Sequence, residues 1–203
     1  MNVPEVSIIV TNYNYGSYVQ RCLRSVLNQN HVSHEVIVVD DCSTDNSIEM
    51  IKVFEPDVRI FSTQKNSGVA AAANLGIKNS RGQFVIRVDA DDYVHRDFIR
   101  VLLLGYEFFG TETEAISTDY QVVTPEGILQ EYGHAEKEPI ACAIAFKVDA
   151  LETLGFYNHT LRINEEVDLR KRFYDKGFRI RNINLPLYRY VKHSSSLSRS
   201  VII

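Results

Sequence analysis

A chain of 203 residues is long enough for one domain with a substantial core. With 45% hydrophobic and 24% charged residues and a formal net charge of −4, its composition is that of a globular protein and argues against a nucleic-acid partner. Three widely separated cysteines indicate neither a zinc site nor a disulfide framework, and no apolar run approaches the roughly 20 residues of a membrane span, so we expect a cytoplasmic protein with at most peripheral membrane association.

The first half of the sequence alternates between strand and helix patterns. Short runs of β-branched residues predict strands over 6–10, 36–39, 58–61 and 84–88. Apolar residues at helical spacing predict helices over 17–27 and 69–78, and a third helix that follows the cap residues 43–45 and ends near residue 54. Strand–helix repeats of this kind favour a parallel sheet with helices on both faces.

The second half is less regular. Two apolar runs flank the turn Pro125-Glu126-Gly127 and predict a hairpin of 115–123 with 128–132. Further predicted elements are strands over 140–146, 179–183 and 187–191, and a helix over 163–176 that Gly177 would end. Because no linker or repeat divides the chain, we predict a single mixed α/β domain over 1–203, with one half at about 1–108 and the other at about 109–203.

Polar side chains stand at the ends of three predicted strands. They are Thr11 and Tyr13 after the first strand, Asp40 and Asp41 after the second, and Asp89, Asp91 and Asp92 after the fourth. Because ligands bind outside the carboxyl ends of the strands in open α/β sheets, we expect these side chains to line one crevice.

Residues 89–92 place three carboxylates within four positions. Like charges this close raise one another's pKa values unless a cation offsets them. A hard divalent cation such as Mg²⁺ or Mn²⁺ suits such a cluster, because it takes one or two carboxylates from the protein and its other ligands from water and phosphates. A solvated acidic loop, or a cap for a helix that begins near His95, is the alternative interpretation.

Five ordered stretches resemble the family-2 glycosyltransferases with the GT-A fold. They are TNYNYGSYVQRCLRSVLNQ, VIVVDDCSTDNS, NSGVAAAANLGIKNSRGQFVIRVDADD, RINEEVDLRKRFYDKGF and YRYVKHSSSLSRS. The resemblance implies a Rossmann-like mixed sheet with helices on both faces. It also implies metal-dependent, inverting transfer of a sugar from a nucleotide-diphosphate donor, with UDP the foremost carrier, to a hydroxyl of a glycan or lipid-linked acceptor in cell-surface polysaccharide or glycolipid assembly.

The same resemblance implies roles for individual residues. It implies a nucleotide site formed by Thr11, Tyr13, Asp40 or Asp41, Asn66, Gly68, Asn74 and Asp89. It implies Mg²⁺ or Mn²⁺ ligands at Asp91, Asp92 and His193. Glu166, with Glu165 beside it, would be the general base that takes the proton of the acceptor hydroxyl. Without the resemblance, these two acids would be part of a charged helix face, and His193 a surface residue.

The sequence departs from the family pattern at four positions: Asn12 replaces Pro, Cys42 replaces Gly, Ala73 replaces Arg and Glu166 replaces Asp. The last change moves the carboxylate about one methylene outward, so Glu165 and Asp168 stay alternatives as base. Two other functions stay open: a catalytically inactive nucleotide-sugar-binding or scaffold module, and a nucleotidyltransferase. The latter would normally carry a basic phosphate loop near the first strand, which residues 12–16 lack. The oligomeric state is also open.

Overall fold

The computed structural model describes residues 3–30, 32–110, 112–194 and 196, and within them the chain forms nine strands and six helices. The strands are β1 (Val6–Asn12), β2 (His34–Asp40), β3 (Val58–Ser62), β4 (Phe84–Asp89), β5 (Tyr93–Val94), β6 (Ala115–Val123), β7 (Leu129–Gly133), β8 (Ile144–Lys147) and β9 (Ile180–Val191). The helices are α1 (Val19–Leu27), α2 (Ser47–Lys52), α3 (Val69–Lys78), α4 (Phe98–Phe109), α5 (Val148–Leu154) and α6 (Glu165–Asp175). The strands form one mixed sheet in the order β3-β2-β1-β4-β8-β6-β9-β5, with β7 paired to β6.

The first four long strands form the predicted parallel part of this sheet. β1 pairs in parallel with β2 and β4, and β2 pairs in parallel with β3. Their side chains enter two cores in alternation: Ile8 packs in one core and Ile9 in the other. Helices α1, α2 and α4 contribute to the first core, and α3, α5 and α6 to the second. Because helices cover both faces, most residues in the middle of these strands are apolar, and the buried Arg87 of β4 is a charged exception.

The second half of the sheet is partly antiparallel. β8 pairs antiparallel with β4 and with β6, and β6 and β7 form the predicted hairpin. The prediction of two late strands was wrong, because β9 is one strand that pairs in parallel with β6. A register shift passes over residues 184–185 and pairs Asp119 with Pro186, so an irregularity in the ladder accommodates the proline.

Three further elements differ from the sequence-based predictions. The strand predicted over 140–146 begins only at Ile144, since Ala143 has a φ of 61°, outside the extended region of a strand. Helix α5 and the two-residue strand β5 were not predicted. Within the described residues, none of the helices has both the length and the apolar character needed to cross a lipid bilayer.

Gly76 allows helix α3 to pack directly on the sheet. A Cβ built at Gly76 would overlap Cγ2 of Ile9 and lie 3.2 Å from Cγ2 of Val39. We expect Gly76→Ala to lower the free energy of unfolding by about 1–3 kcal/mol, because the extra methyl overpacks the core. Urea denaturation measures this change. Lys78→Ala, at an exposed position of the same helix, is the control and should stay within about 0.5 kcal/mol; equal effects of the two variants would contradict the packing argument.

Candidate functional site

A cavity of about 600 Å³ opens where the parallel strands end. Strand ends, the segment 139–142 and the segment 162–166 that leads into α6 form its wall. The carboxylates among the described lining residues are Asp41, Asp89, Asp91, Asp92, Glu165 and Glu166, and the guanidinium groups are Arg87 and Arg162. Thr11, Tyr13, Asn66 and Gly68 also line it, so the structure brings most of the predicted site residues together.

Arg87 is a buried cation that joins strand β4 to helix α6. Its guanidinium donates from Nε and Nη2 to the two oxygens of Asp89 (2.9 and 3.1 Å) and from Nη1 to Glu165 Oε1 (2.8 Å). Thr11 on β1 donates to the same Asp89 carboxylate (2.7 Å). Burial alone would raise the pKa of Asp89, but the charge and hydrogen bonds of Arg87 lower it below the usual value. Asp89 is therefore held as a fixed carboxylate.

Arg87 was not among the site residues predicted from the sequence. The available signal was a charged residue inside a buried run, because a buried charge is stable only when it is paired. Its partner Glu165 lies 78 positions further along the chain, and only the fold brings the two together.

Asp91 lies on the cavity wall and contacts His193. His193 Nε2 lies 3.0 Å from Asp91 Oδ2, and the imidazole stacks on Tyr18 with ring centroids 4.6 Å apart. Burial raises the pKa of Asp91 and the charge of Asp89 adds to this rise, while the hydrogen bond to His193 opposes it. The structure thus joins the acidic cluster to a residue from the far end of the chain, as the resemblance implied for a metal site.

This donor set fits a divalent cation whose shell is completed by a ligand. In the described part of the chain, no group of three or more His, Cys, Asp or Glu side chains is arranged to hold a metal by itself. Asp91, which lines the cavity, supplies an oxygen donor, and His193, which is buried and is not among the described lining residues, supplies a nitrogen donor in contact with it. Mg²⁺ commonly uses only one or two protein carboxylates together with water and substrate phosphates, so a sparse set of this kind is compatible with such a cation.

Asp92 has a different environment from its neighbour. Its Oδ2 accepts a hydrogen bond from the Tyr188 hydroxyl (2.6 Å), and its Oδ1 accepts from the Val191 backbone N–H (2.8 Å). Burial raises its pKa, and the charges of Asp91 and Asp89 raise it further. Through these two hydrogen bonds, Asp92 connects β9 to the segment that follows β4. A metal-ligand role for Asp92 stays a prediction, and the structure adds this tethering role.

Asp40 and Asp41, at the end of β2, also have different environments from each other. Asp40 accepts from Asn12 Nδ2 (2.7 Å) and from the Ser43 backbone N–H (2.9 Å), which fixes the turn behind the cavity. Asp41 lines the cavity and accepts from the Gly68 and Ser67 N–H groups (2.6 and 2.9 Å). Of the two alternatives for a base-binding acid, the structure brings only Asp41 to the cavity wall.

Asn74 supports the cavity from outside its wall. Its Nδ2 donates to the Tyr157 carbonyl (2.8 Å), and its Oδ1 accepts from the Tyr157 N–H (3.0 Å). Both amide atoms thus connect helix α3 to the loop that leads into α6. Contact of Asn74 with the ribose or the diphosphate stays a prediction, and its position is that of an anchor for the loop.

The three acids proposed as base face different surroundings. Glu165 is buried and paired with Arg87, and Asp168 forms an ion pair with Arg172 one turn further along α6 (2.7 Å). Glu166 is half-buried on the cavity wall, and among the described residues it forms no ion pair. Burial raises its pKa, and the charge of Glu165 adds to this rise. A carboxylate with a raised pKa that faces a cavity is suited to accept a proton.

Comparisons with known proteins identify relatives across almost the whole chain. The family model described as Glycosyl transferase family 2 matches residues 7–202. Hyaluronan synthase of Pasteurella multocida is 31% identical over 210 residues, which is 97% of this chain and 21% of that protein. The putative teichuronic acid biosynthesis glycosyltransferase TuaG of Bacillus subtilis is 28% identical over 212 residues, which is 97% of this chain and 83% of that protein. This chain therefore spans about a fifth of the length of the synthase.

Solved structures share the fold. S. aureus TarS 1–349 in complex with UDP-GlcNAc matches with a TM-score of 0.83 at 20% identity, over 98% of this chain and 62% of that chain. Mannosyltransferase PcManGT from Pyrobaculum calidifontis, in complex with GDP-Man and Mn²⁺, matches with a TM-score of 0.74 at 19% identity, over 98% and 60% of the two chains. These likenesses, at low identity, confirm the predicted GT-A type sheet with helices on both faces.

Proposed function

The chain belongs to glycosyl transferase family 2, and from this premise we propose that it transfers a sugar from a nucleotide-diphosphate donor, with UDP as carrier, to a hydroxyl of a glycan or lipid-linked acceptor. The observation that carries the proposal is one cavity at the strand ends in which Asp91 and Glu166 both line the wall. Assembly of a cell-surface polysaccharide or glycolipid at the cytoplasmic side is the proposed setting, supported by the names of the two relatives.

The donor would lie along the ends of β1 and β2. Tyr13 is 39% exposed and offers an aromatic face for a base to stack on, beside Thr11 and Asp41. Asn66 and Gly68 would shape the wall near the ribose and the diphosphate, and Asp89 would face the ribose or nearby water. Asp40 and Asn74 would act from behind the wall, by holding the turn after β2 and the loop before α6.

Asp91 and His193 would hold Mg²⁺ or Mn²⁺, with Asp92 as a further candidate ligand. When bound, such a cation supplies electrostatic stabilisation of the charge that develops on the leaving diphosphate. The Mn²⁺ described with GDP-Man in the mannosyltransferase supports this proposal by analogy of fold. Because His193 and Asp91 already contact each other, little rearrangement of the protein is required to present both groups.

Glu166 would act as general base in a single displacement. Its carboxylate accepts the proton of the acceptor hydroxyl while that oxygen forms a bond to the anomeric carbon. The bond from this carbon to the diphosphate oxygen breaks, and the diphosphate leaves with the electron pair. Attack from the face opposite the leaving group inverts the anomeric configuration. Arg87 holds Glu165 beside the base, so the start of α6 is fixed relative to the donor.

Calorimetric titration with UDP tests the donor site. We expect UDP to bind in the presence of Mn²⁺, and we expect EDTA or Asp91→Asn to weaken binding at least about tenfold, because an ion–phosphate contact is lost. Asp175→Asn, an exposed carboxylate on α6, is the control and should bind as the wild type does. Equal affinity with EDTA would contradict metal dependence. Failure of UDP, GDP, CDP and dTDP under both conditions would contradict the donor proposal and favour a scaffold function.

A further inference from the structure

Arg162 differs from Arg87, the other arginine among the described residues of the cavity wall, because no described carboxylate pairs with its charge. Arg87 is 6% exposed and its charge is paired with the carboxylates of Asp89 and Glu165. Arg162 is exposed, and within the described part of the chain it donates to neutral acceptors alone, from Nη1 to Asn66 Oδ1 (2.9 Å) and from Nη2 to the Asn66 carbonyl (3.2 Å). Among the described residues, no carboxylate forms an ion pair with it. Arg162 is therefore a cation in the wall of an acidic cavity with hydrogen-bonding capacity left over.

The guanidinium is held at a defined place on the wall. Asn66 follows β3 and Arg162 precedes α6, so their hydrogen bonds join segments that are 96 residues apart. Gly68 has a φ of 92°, and a Cβ there would lie only 3.2 Å from Arg162 Nη1. The arginine thus lies across the glycine at the start of α3. A guanidinium that is already positioned loses less conformational entropy when it binds a ligand.

The surrounding charges direct an anion to this point. The other walls carry carboxylates, which repel phosphates and carboxylates alike. The nearby Asp41 has its charge met by three donors, the Thr63 hydroxyl and the backbone N–H groups of residues 67 and 68. Arginine has five N–H donors in a planar arrangement that suits bidentate contact with a carboxylate or a phosphate, and two of its nitrogens already contact Asn66.

We propose that Arg162 binds an anionic oxygen group of the donor, which is either a phosphate of its diphosphate or a carboxylate on the transferred sugar. The proposal rests on the proposed function, since it requires a nucleotide-sugar in the cavity. It makes Arg162 a specificity-determining residue, supplied by the loop before α6 and positioned by Asn66, which follows β3.

Titration of four probes into three variants tests this role. The probes are inorganic pyrophosphate, UDP, UDP-glucose and UDP-glucuronic acid, each with Mg²⁺ present. We expect Arg162→Gln to raise the Kd of each probe whose anion Arg162 contacts about ten- to hundredfold, the usual range for a lost charge-assisted hydrogen bond. Arg162→Lys keeps the positive charge without the planar guanidinium and should raise these Kd values less. Arg96→Gln, whose wild-type side chain is 70% exposed and lies outside the cavity wall, should leave all four affinities unchanged.

The pattern of losses identifies the anion. Weaker binding of pyrophosphate, UDP and both UDP-sugars by Arg162→Gln would support the diphosphate as its ligand. A loss confined to UDP-glucuronic acid would support a sugar carboxylate. Equal affinities of wild type and Arg162→Gln for every probe would overturn the role of Arg162 and leave the donor site intact. Binding of pyrophosphate that depends on Arg162, without binding of any nucleotide, would support the anion site and contradict the donor proposal. Failure of all four probes would overturn both.

Discussion

Replacement of Glu166 by glutamine is expected to lower kcat for sugar transfer by about 10²–10⁴-fold, the usual contribution of a general base. Glutamine keeps the size of the side chain but cannot accept the proton of the acceptor hydroxyl. The donor does not depend on this carboxylate, so its Kd should change less than about twofold, as for an interaction made only in the transition state. Initial rates of transfer from a UDP-sugar that binds, together with calorimetric Kd values, separate the two effects.

The pH dependence of the rate gives a second measure of the same group. Only the ionised carboxylate accepts a proton, so kcat should fall as the pH falls through the pKa of Glu166. Burial raises this pKa, so the fall should occur at higher pH than for an ordinary glutamate. The residual activity of Glu166→Gln should lack this acidic limb, because the titrating group is absent.

Asp168→Asn is the matched control for this experiment. Asp168 lies on the same helix and pairs with Arg172, away from the cavity wall, so its amide should retain most of the wild-type kcat. The reverse result, in which Asp168→Asn is inactive and Glu166→Gln is active, would transfer the role of base to Asp168. Full activity of both variants would contradict Glu166 and Asp168 as the base and leave Glu165 as the candidate on this helix.

The parallel part of the fold was predictable because burial on both faces gives a strand a run of mostly apolar residues in place of an alternating pattern. Val36 and Ile37 enter different cores, and the sequence shows only that both are buried. Strand β9 was not predictable as one element, because Asn184-Leu185-Pro186 is typical of a turn and only pairing with β6 extends the strand through it.

Cys42 stands where the family pattern has glycine, and its φ is 64°. The loop after β2 therefore keeps the left-handed conformation that favours glycine.

The candidate site was predictable to the level of adjacent pairs of acids. The strand-end rule selected the crevice, but it did not distinguish which member of each pair faces it. Asp41 lines the cavity, whereas Asp40 holds a turn; Glu165 and Glu166 both line it, but Glu165 is paired with Arg87. That choice depends on the orientation of a turn or of a helix start, which is set by contacts distant in sequence. Arg87 and Arg162 were missed for the same reason, because their partners lie 78 and 96 residues away.

Replacement of Arg87 by methionine is expected to lower the free energy of unfolding by about 3–5 kcal/mol, the usual effect of breaking a buried ion pair from one side. Methionine fills much of the same volume, but it leaves the carboxylates of Asp89 and Glu165 without their cation. Urea denaturation measures the loss. Arg81→Met is the matched control, because Arg81 is 53% exposed and Glu35 keeps Arg59 as a partner, so the loss should be about 1 kcal/mol or less.

The pH dependence of this difference tests whether charge is the cause. The pKa of Asp89 is lowered in the folded protein, so its ionic contribution is complete above the unfolded pKa of about 3.9 and is lost as the pH falls through the lower folded value. The destabilisation caused by Arg87→Met should therefore shrink as the pH falls, because burial without Arg87 raises the pKa of Asp89 in the variant, where the carboxylate becomes protonated while it is still ionised in the wild type. A difference that does not change with pH would indicate lost packing in place of lost charge.

Removal of all three charges would separate stability from function. Buried ion pairs replaced by apolar residues of similar volume often leave stability unchanged or improved, because the desolvation of the charges is also avoided. Arg87→Met combined with Asp89→Leu and Glu165→Leu should therefore recover much of the stability lost in the single variant. We expect this triple variant to bind the donor more weakly and to transfer sugar more slowly, because the Asp89 carboxylate is absent from the cavity wall and the start of α6 is no longer fixed there. Recovered stability together with wild-type activity would contradict a functional role for the Arg87 ion pairs. Their role would then be structural only.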